Sequence, residues 1–397
     1  MDDFKIEELL FRNIDQVLPS KDFLLSKLKK GEKLKIYHGI DPTAPELHIG
    51  HLATLKKLRH FQEAGFEVIL LLGGMTATIG DPDKINVRKQ LSVEDVAKNA
   101  ESIKKQVSKI LNFEGNNPAK VLNNYDWLSK LTFEEVIKIA SNLTHEQLIE
   151  RDMFQERLKS NQPIYLHEFF YPLMQGFDSV AMDVDAEIGG TDQMFNMMIG
   201  RDLLKKMKNK EKFVITVPML TDSKGKKIGK SEGNAIPFAS GNPYDLYSGV
   251  MTLGDDVIVN CFVALTDLSL EEVSIIETDL TKNAANPMVY KKQLAFQLVK
   301  ENYSEEDAKK AQTEFENTVQ NKNFSETQVL EIKIESESVR VIDFLKENLK
   351  DVSSSEIKKV IEQNGLLVNS NKVSDLNFQI KKGDELKFGK KIYLRII

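Results

Sequence analysis

Alternation of apolar and polar positions in the first fifth of the chain predicts a strand, a helix and a second strand. LKIYHGI (34–40) alternates like a strand, and HLATLKKLRHFQEAG (51–65) repeats apolar residues at the spacing of one helix face before a terminal glycine. EVILLL (67–72) is continuously apolar, as in a parallel strand covered on both faces. The pattern indicates an α/β protein with a Rossmann-like parallel sheet. Such sheets bind ligands beyond the carboxyl ends of their strands, where the loop GIDPTAPELHIG (39–50) lies.

The later part of the chain has a different pattern. From about residue 243 the apolar spacing is helical, and QNKNFSETQ (320–328) is typical of a linker. Near the end, Ser353 is placed as an N-cap with Glu356 three residues on, and Gly365 is placed as the C-cap of the same helix. Short alternating strands around KKGDELKF follow. These features predict a small α+β module at the C-terminal end.

Composition limits the class of protein. A chain of 397 residues with 41% hydrophobic residues suits two or three conventional domains. The acidic start MDDFKIEELL lacks the pattern of a signal peptide, and VILLLGG is too short to span a bilayer, so we expect a cytoplasmic protein with no membrane association. The single cysteine excludes an intramolecular disulfide, and six scattered histidines have no metal-ligand spacing, so we expect no structural zinc.

Charge is unevenly distributed along the chain. Residues 339–397 carry 12 Lys and Arg against 8 Asp and Glu, a net charge of +4, whereas the rest carries 42 against 52, a net charge of −10. A basic module on an acidic body is the asymmetry expected where one part meets a polyanion such as RNA. A lysine-rich solvated surface gives the same charge, and charge alone leaves both interpretations open.

ELHIGHLATL places His48 and His51 around Gly50 at the start of the predicted helix. One interpretation is a helix end capped by polar side chains. The other is a nucleotide site, because a glycine-flanked helix N-terminus presents free N–H groups and a positive dipole end to phosphate. In a nucleotide site, Gly50 lets a flat base approach the helix, and the imidazoles donate hydrogen bonds without carrying a full charge.

KGKKIGKSEGN (224–234) places four lysines among three glycines. A mobile cationic loop suits a departing pyrophosphate, whose charge develops only as the bond breaks. An exposed basic turn is the alternative. The two motifs occur together, in this order and separated by most of an α/β domain, which favours the nucleotide site.

HIGH (48–51) together with KIGKS (227–231) resembles the signature pair of class I aminoacyl-tRNA synthetases. The stretches YHGIDPTAPELHIGHLATL, IGDPD, YPLMQGFDSVAMDVDAEIGGTDQMFN and NPMVYKKQLA narrow this resemblance to the tyrosyl-tRNA synthetases of bacteria, over nearly the whole chain. The tail resembles the RNA-binding module that bacterial tyrosyl enzymes share with a small-subunit ribosomal protein.

The resemblance implies both the activity and the organisation of the chain. L-tyrosine and ATP would form tyrosyl-adenylate and pyrophosphate, and tyrosine would then pass to the 3′-terminal adenosine of tRNA(Tyr). ATP would act as a substrate together with Mg²⁺, and the protein would be a homodimer. The implied parts are a Rossmann-like catalytic domain at 1–236 with a dimerisation insertion around 113–165, a helical anticodon-side domain at 237–320, a linker at 321–338 and an RNA-binding module at 339–397.

Matched residue by residue, the resemblance also implies three groups of site residues. The tyrosine contacts are Tyr37 and Asp178 at the phenol, Asp81, Tyr171 and Gln175 at the ammonium group, and Gln193. The adenylate contacts are Gly39, Asp41, Gly50, Gly190, Asp192, Gln193, Lys230 and Ser231. The catalytic group comprises Thr43 and His48 at the phosphates, His51 near the nucleoside, and Lys227 and Lys230 from the loop.

Each assignment has a structural alternative. Asp81 is also explained as a turn residue in the tripeptide Gly-Asp-Pro (80–82). Tyr171 and Gln175 are also explained as a pair on a helix surface. Spacing favours the site, because Tyr171, Gln175 and Asp178 fall at i, i+4 and i+7 and share one helical face. His38 receives no role.

The chain departs from the family pattern at two motifs. KIGKS differs from the generic KMSKS at two positions. DKINVRKQ (83–90) is a residue shorter than the corresponding text of the family, so Lys84 and Arg88 are candidate phosphate contacts only.

Three rival functions are compatible with parts of the pattern. A tryptophanyl enzyme shares the core but would lack the pair Tyr37 and Asp178. A small nucleotidylyltransferase shares the histidine motif but would be shorter and lack the tail. A non-catalytic RNA-binding relative would be expected to lose His48, Lys230 or Asp81, and the chain retains all three.

Overall fold

The structure is a computed structural model that divides the chain into two compact units, Met1–Ala308 and Lys309–Ile397. It describes residues 3–81, 91–222, 225–229, 233–239, 241–282, 284–320, 329–334, 336–349, 352–363, 365–369, 371–389 and 392–397.

The first unit is built on a six-stranded sheet. Its strands are β1 (Gln16–Leu18), β2 (Lys35–Ile40), β3 (Glu67–Leu72), β4 (Lys120–Asn123), β5 (Ala186–Gly190) and β6 (Phe213–Val217), in the order β1-β6-β5-β2-β3-β4. Strands β2 to β6 are parallel, and β1 joins β6 antiparallel at the edge. The two strands predicted at 34–40 and 67–72 are therefore confirmed as β2 and β3, and so is the parallel α/β class.

Helices account for most of the remaining residues of this unit. They are α1 (Asp3–Phe11), α2 (Lys21–Lys29), α3 (Ile49–Glu63), α4 (Thr76–Ile79), α5 (Val93–Val107), α6 (Tyr125–Leu128), α7 (Phe133–Ala140), α8 (His145–Ile149), α9 (Asp152–Lys159), α10 (Phe170–Met182), α11 (Met194–Lys208), α12 (Pro243–Met251), α13 (Ile258–Leu265), α14 (Leu270–Thr281) and α15 (Pro287–Asn302), followed by α16 (Glu305–Phe315) across the boundary between the units. Helix α3 buries Leu52, Leu55 and Leu58 completely, which is the apolar face that the sequence predicts.

The described residues contain no single helix that is both long and apolar enough to cross a membrane. The bent pair formed by α12 and Asp255–Leu265 passes that test only when its two helices are taken together.

The structure differs from the predicted organisation at β4. Residues 120–123 were assigned to an insertion, but β4 pairs with β3 in parallel and forms an edge of the main sheet. The helices α6 to α9 follow it, so the excursion from the sheet begins after Asn123.

The helices that begin at Pro243 belong to the same compact unit as the sheet. Helix α13 packs against α3. The buried guanidinium of Arg12 donates to the carbonyl oxygens of Thr266 and Leu268, both at 2.7 Å. These bonds join the helical segment to the N-terminal part of the unit, so the predicted division at residue 236 does not separate two compact units.

The second unit is a small α+β structure. Its strands are β7 (Val329–Ile332), β8 (Ser338–Arg340), β9 (Leu366–Val368), β10 (Asn371–Val373), β11 (Gln379–Lys381), β12 (Glu385–Phe388) and β13 (Ile392–Ile396), and its helices include α17 (Val341–Asn348) and α18 (Ser354–Glu362). Five strands form one sheet in the order β10-β9-β12-β13-β7, and β11 pairs with β8. The core packs Val341 and Leu345 of α17 with Ile357 and Ile361 of α18.

Two local predictions in this unit are corrected. Val329–Ile332 lies in the predicted linker but pairs with β13 in parallel, so the sheet of the module starts before residue 339. Ser353 is confirmed as the N-cap of α18 and accepts from the backbone N–H of Glu356 at 3.3 Å. The C-cap, however, is Gln363. Gly365 lies too close to Val360 for a side chain, since an added Cβ would come within 2.8 Å of it.

Candidate active site

A cavity of about 600 Å³ opens at the carboxyl ends of β2 and β5. The chain leaves β2 toward β3 and leaves β5 toward β6, so the strand order reverses between these neighbours, which is the usual position of a ligand site in an open parallel sheet. The predicted site residues that the structure describes all line this cavity: Tyr37, Gly39, Asp41, Thr43, His48, Gly50, His51, Asp81, Tyr171, Gln175, Asp178, Gly190, Asp192, Gln193 and Lys227. Lys230, Ser231, Lys84 and Arg88 lie outside the described residues.

The inner end of the cavity contains a buried carboxylate, Asp178, on helix α10. Its side chain accepts from Trp127 Nε1 at 2.8 Å and from Asn124 Nδ2 at 3.1 Å, and the residue is only 1% exposed. Burial raises the pKa of Asp178 well above its usual value, and the two donors oppose that shift by stabilising the charge. The carboxylate is thus held rigidly and has remaining lone pairs for a ligand.

Tyr37 of β2 lies at the same end and is fully buried. Its hydroxyl lies 3.0 Å from Ser179 Oγ. Burial raises the pKa of Tyr37 well above its usual value, and the neighbouring carboxylates Glu187 and Asp178 add to the shift. Tyr37 is therefore a neutral hydroxyl at physiological pH and keeps a proton that it can donate.

The middle of the cavity carries two further carboxylates. Tyr171 donates to Asp41 at 2.9 Å, and burial raises the pKa of Tyr171 well above its usual value. Asp81 accepts from Gln193 Nε2 at 3.0 Å and forms an ion pair with Arg151 at 2.6 Å. This region is suited to a cationic group, because both acids face the cavity and are already oriented by donors.

The outer end is the start of helix α3, where the two histidines cap each other. The backbone N–H of Gly50 donates to Nδ1 of His48, and the backbone N–H of His48 donates to Nδ1 of His51, both at 3.2 Å. Because each Nδ1 accepts, the proton of each neutral ring is on Nε2. The capped helix end is therefore confirmed, and both histidines line the cavity.

Ile228 of the lysine motif and Ile236, which follows the motif, both lie against this helix start. The carbonyl oxygen of Ile228 lies 3.3 Å from where a Cβ of Gly50 would stand, and the backbone N–H of Ile49 donates to Ile236 at 3.0 Å. A side chain at Gly50 would therefore crowd both the His48 ring, at 3.0 Å, and this carbonyl oxygen, a reason for glycine that the sequence alone did not provide. Lys227 lines the cavity and forms an ion pair with Asp192.

Several residues of the site were missed by the sequence analysis. Arg151 holds Asp81, and Lys212 pairs with Glu187 in full burial. The sequence contained a signal for the second pair, because Glu187 interrupts the apolar strand AEIGG and Lys212 immediately precedes the apolar FVITV.

His38, which received no role in the sequence analysis, joins two strands of the sheet. Its Nδ1 donates to the carbonyl oxygen of Ile188 at 2.9 Å and so connects β2 to β5, and burial lowers the pKa of His38.

The fold and the class of the chain can now be compared with known proteins. The family model for class I tRNA synthetases of tryptophan and tyrosine matches residues 29–320, and the S4 domain model matches residues 339–386.

Relatives narrow the assignment within this class. The chain is 39% identical to the tyrosine–tRNA ligase of Aquifex aeolicus over 94% of each chain, and 38% identical to that of Carboxydothermus hydrogenoformans over 98% of this chain and 97% of the relative. The chain belongs to the tyrosyl-tRNA synthetase family.

Solved structures agree at the level of the fold. A C-terminally truncated mitochondrial tyrosyl-tRNA synthetase of Aspergillus nidulans superposes with a TM-score of 0.65 at 23% identity, covering 79% of this chain and 94% of that one. The tyrosyl-tRNA synthetase of Archaeoglobus fulgidus, complexed with L-tyrosine, gives a TM-score of 0.61 at 22% identity, covering 78% of this chain and all of that one.

Proposed function

We propose that this tyrosine–tRNA ligase joins L-tyrosine to ATP in the cavity described above and then transfers tyrosine to the 3′-terminal adenosine of tRNA(Tyr). The observation that supports the proposal is the arrangement of one cavity with two chemically different ends. The inner end has a buried acceptor and a buried donor, Asp178 and Tyr37, and the outer end has the helix start with His48 and His51.

At the inner end, the substrate phenol accepts from the Tyr37 hydroxyl and donates to the Asp178 carboxylate. Its ammonium group binds near Asp81, Tyr171 and Gln175, where carboxylate and polar oxygens are available. This arrangement leaves the substrate carboxylate directed toward the outer end, beside Gln193.

At the outer end, the adenylate lies along Gly39 and Gly190, near the ends of β2 and β5, and along Asp41 and Asp192, which follow these strands. Thr43 and the Nε2–H donors of His48 and His51 are close enough to the start of α3 to act with the helix dipole on phosphate oxygens. Lys227, with Lys230 and Ser231 from the same motif, stabilises the departing pyrophosphate.

The reaction requires little acid–base chemistry. A carboxylate oxygen of tyrosine forms a bond to the α-phosphorus of ATP while the bond from that phosphorus to the pyrophosphate oxygen breaks, and no proton is transferred. Catalysis then consists of positioning and of electrostatic stabilisation. In the second step a ribose hydroxyl of the tRNA attacks the carbonyl carbon of tyrosine, and AMP leaves.

Magnesium enters with the nucleotide. ATP is the magnesium complex in the cell, and its phosphate oxygens are the oxygen ligands that Mg²⁺ prefers. Among the described residues, no group of three or more His, Cys, Asp or Glu is arranged to hold a metal ion, so the ion is treated as part of the substrate.

The C-terminal module is proposed to bind the tRNA. Its S4-type match and its net positive charge both suit an RNA backbone. A chain that ends near Glu337 is expected to form tyrosyl-adenylate at the normal rate but to charge tRNA poorly, with a shallower salt dependence of tRNA affinity. Aminoacylation equal to that of the full chain would exclude this role.

A homodimer is proposed through the excursion that follows β4. Phe133 is 79% exposed and Ile137 54%, both on the first long helix of this excursion, and Leu166 is 76% exposed. Apolar side chains exposed together favour an isologous contact with a second copy. Light scattering at micromolar concentration should give twice the mass of the chain, and a monomer mass would contradict the proposal.

The substrate assignment is tested by ATP–pyrophosphate exchange with each of the twenty amino acids. Tyrosine is expected to support exchange far better than phenylalanine or tryptophan, because only the phenol satisfies both Tyr37 and Asp178. Faster exchange with tryptophan than with tyrosine would show that the chain has the activity of a tryptophanyl-tRNA synthetase.

A further inference from the structure

A chain of buried polar groups lies behind the inner end of the cavity and takes no part in the reaction as proposed. Lys212 Nζ donates to Ser179 Oγ at 2.8 Å, and Ser179 Oγ lies 3.0 Å from the Tyr37 hydroxyl. All three residues are fully buried, but of the three only Tyr37 lines the cavity. Burying an ammonium group is costly, so this lysine calls for an explanation beyond packing.

The donors and acceptors available on Lys212, Ser179 and Tyr37 determine which atom donates in each of these hydrogen bonds. A lysine ammonium has three donors and no acceptor, so Ser179 Oγ must accept from Lys212 and keeps its own proton. When Ser179 donates that proton to the Tyr37 oxygen, Ser179 no longer accepts from Tyr37, and the acceptors left for the Tyr37 proton are Glu187 and a ligand in the cavity. A ligand phenol can then accept from Tyr37 and donate to the carboxylate of Asp178.

We propose that Lys212, acting through Ser179, fixes the Tyr37 hydroxyl as a donor toward the cavity and thereby sets the preference for tyrosine over phenylalanine. The inference rests on the proposed contact of Tyr37 and Asp178 with the substrate phenol. Lys212 and Ser179 are positioning residues in this scheme, because neither lines the cavity. Phenylalanine would leave the oriented Tyr37 donor buried without a partner, which is the costly outcome on which discrimination depends.

Glu187 completes the arrangement. It stands opposite Tyr37 in the pairing of β5 with β2, and its carboxylate pairs with Lys212 and accepts from Gln175 Nε2 at 3.1 Å. Burial lowers the pKa of Lys212, and Glu187 opposes that shift and helps to keep the ammonium charged. One carboxylate therefore orients both the lysine behind the phenol contact and the amide proposed for the substrate ammonium.

A double-mutant cycle of Ser179→Ala and Tyr37→Phe tests the relay. In exchange assays, Ser179→Ala should lower kcat/KM for tyrosine by about threefold to tenfold, mainly through KM, and leave phenylalanine unchanged, since one oriented hydrogen bond is lost. In the Tyr37→Phe background the same change should have less than about a twofold effect, because the relay has nothing left to orient. Equal losses in both backgrounds, or for both amino acids, would overturn the relay.

A matched pair of variants tests the lysine itself. Lys212→Met alone leaves Glu187 buried and unpaired, so both variants carry Glu187→Gln, which removes the charge but keeps the oxygen that Gln175 needs. Lys212→Gln retains a donor for Ser179 and Lys212→Met, of similar length, does not. The first should keep a tyrosine-to-phenylalanine ratio of kcat/KM within about threefold of that of Glu187→Gln alone, and in the second this ratio should fall by about the same factor as in Ser179→Ala.

Equal ratios in the two variants would show that Lys212 does not orient Tyr37. Tyr37→Phe in the wild-type background tests the proposed phenol site separately. If that change lowers tyrosine and phenylalanine activation equally, the phenol contact itself is wrong and the relay is overturned with it. If Tyr37→Phe is selective but the Lys212 pair is not, only the relay is overturned. Thermal unfolding of each variant confirms that the compared proteins are folded.

Discussion

The two ends of the cavity are built in opposite ways. At the inner end, proposed as the phenol end, Asp178 is 1% exposed and receives two side-chain donors from other elements, and Tyr37 is fully buried. At the outer end, proposed as the phosphate end, the side chains are imidazoles held by their own helix start and the Lys227 side chain, which is 40% exposed. Fixed, dry groups are suited to recognise a phenol that does not change during the reaction. Exposed cations are suited to stabilise the negative charge that develops on the pyrophosphate and departs with it.

This comparison predicts that the two ends fail differently on mutation. Loss of a group at the phosphate end should reduce the rate with little change in amino acid affinity, since its contacts strengthen in the transition state. Loss of a group at the phenol end should change which amino acid is used.

The largest effect is expected at the phosphate end. His48→Ala or Lys230→Ala should lower tyrosine-dependent ATP–pyrophosphate exchange by a factor of about 10² or more, as for removal of one preorganised donor to a developing charge. Tyrosine affinity should barely change. His48 also caps α3, so His48→Ser is the matched control: serine restores an N-cap but has no Nε2–H donor. Exchange at the wild-type rate in the serine variant would show that capping is the only role of His48.

An intermediate effect is expected at Asp178. Asp178→Asn keeps the shape but removes the charge, and one of its neighbours, Asn124 or Trp127, then meets a donor in place of an acceptor. We expect kcat/KM for tyrosine to fall by roughly tenfold or more, because hydrogen bonds to charged groups are the stronger ones. Steady-state exchange at several tyrosine concentrations measures it. A smaller loss than in Tyr37→Phe would reverse the order of importance proposed for the pair.

The smallest and most selective effect is expected at Tyr37. Tyr37→Phe should weaken tyrosine use by about 1 kcal/mol, roughly fivefold, through one lost neutral hydrogen bond. Phenylalanine activation should not fall, because that substrate makes no such bond and leaves the Tyr37 hydroxyl without a partner. The ratio of kcat/KM for the two amino acids is the relevant measurement, and an equal fall in both would remove the distinction drawn here between the two ends.

The sequence predicted the parts of the fold that depend on local pattern. The alternation at 34–40 and the apolar run at 67–72 became β2 and β3, and Ser353 caps α18. Prediction was wrong where pairing is distant: Val329–Ile332 is a short segment of ambiguous pattern that becomes a strand only because β13 is available beside it. A strand at a sheet edge has little local signal of its own.

The site shows the same division. The predicted residues come together around one cavity because motifs at strand ends converge on one edge of a parallel sheet. Arg151, however, is 70 positions from Asp81 in the chain, and only the fold brings the guanidinium to the carboxylate. The sequence therefore indicated which residues line the cavity, but not the groups that hold them in place, and the roles of all of them stay predictions.

The attachment of the lysine motif to helix α3 has a consequence for the chemistry of the outer end. Ile228, within the motif, approaches Gly50, and Ile236, after it, accepts from Ile49, so the chain is held beside the start of α3 at both of these positions. A short tether keeps its side chains at an effective concentration in about the millimolar range without any binding energy of their own. We therefore expect the number of residues between Ile228 and Ile236 to affect the rate: added residues would lower the effective concentration of Lys230 at the outer end even though the lysine is retained.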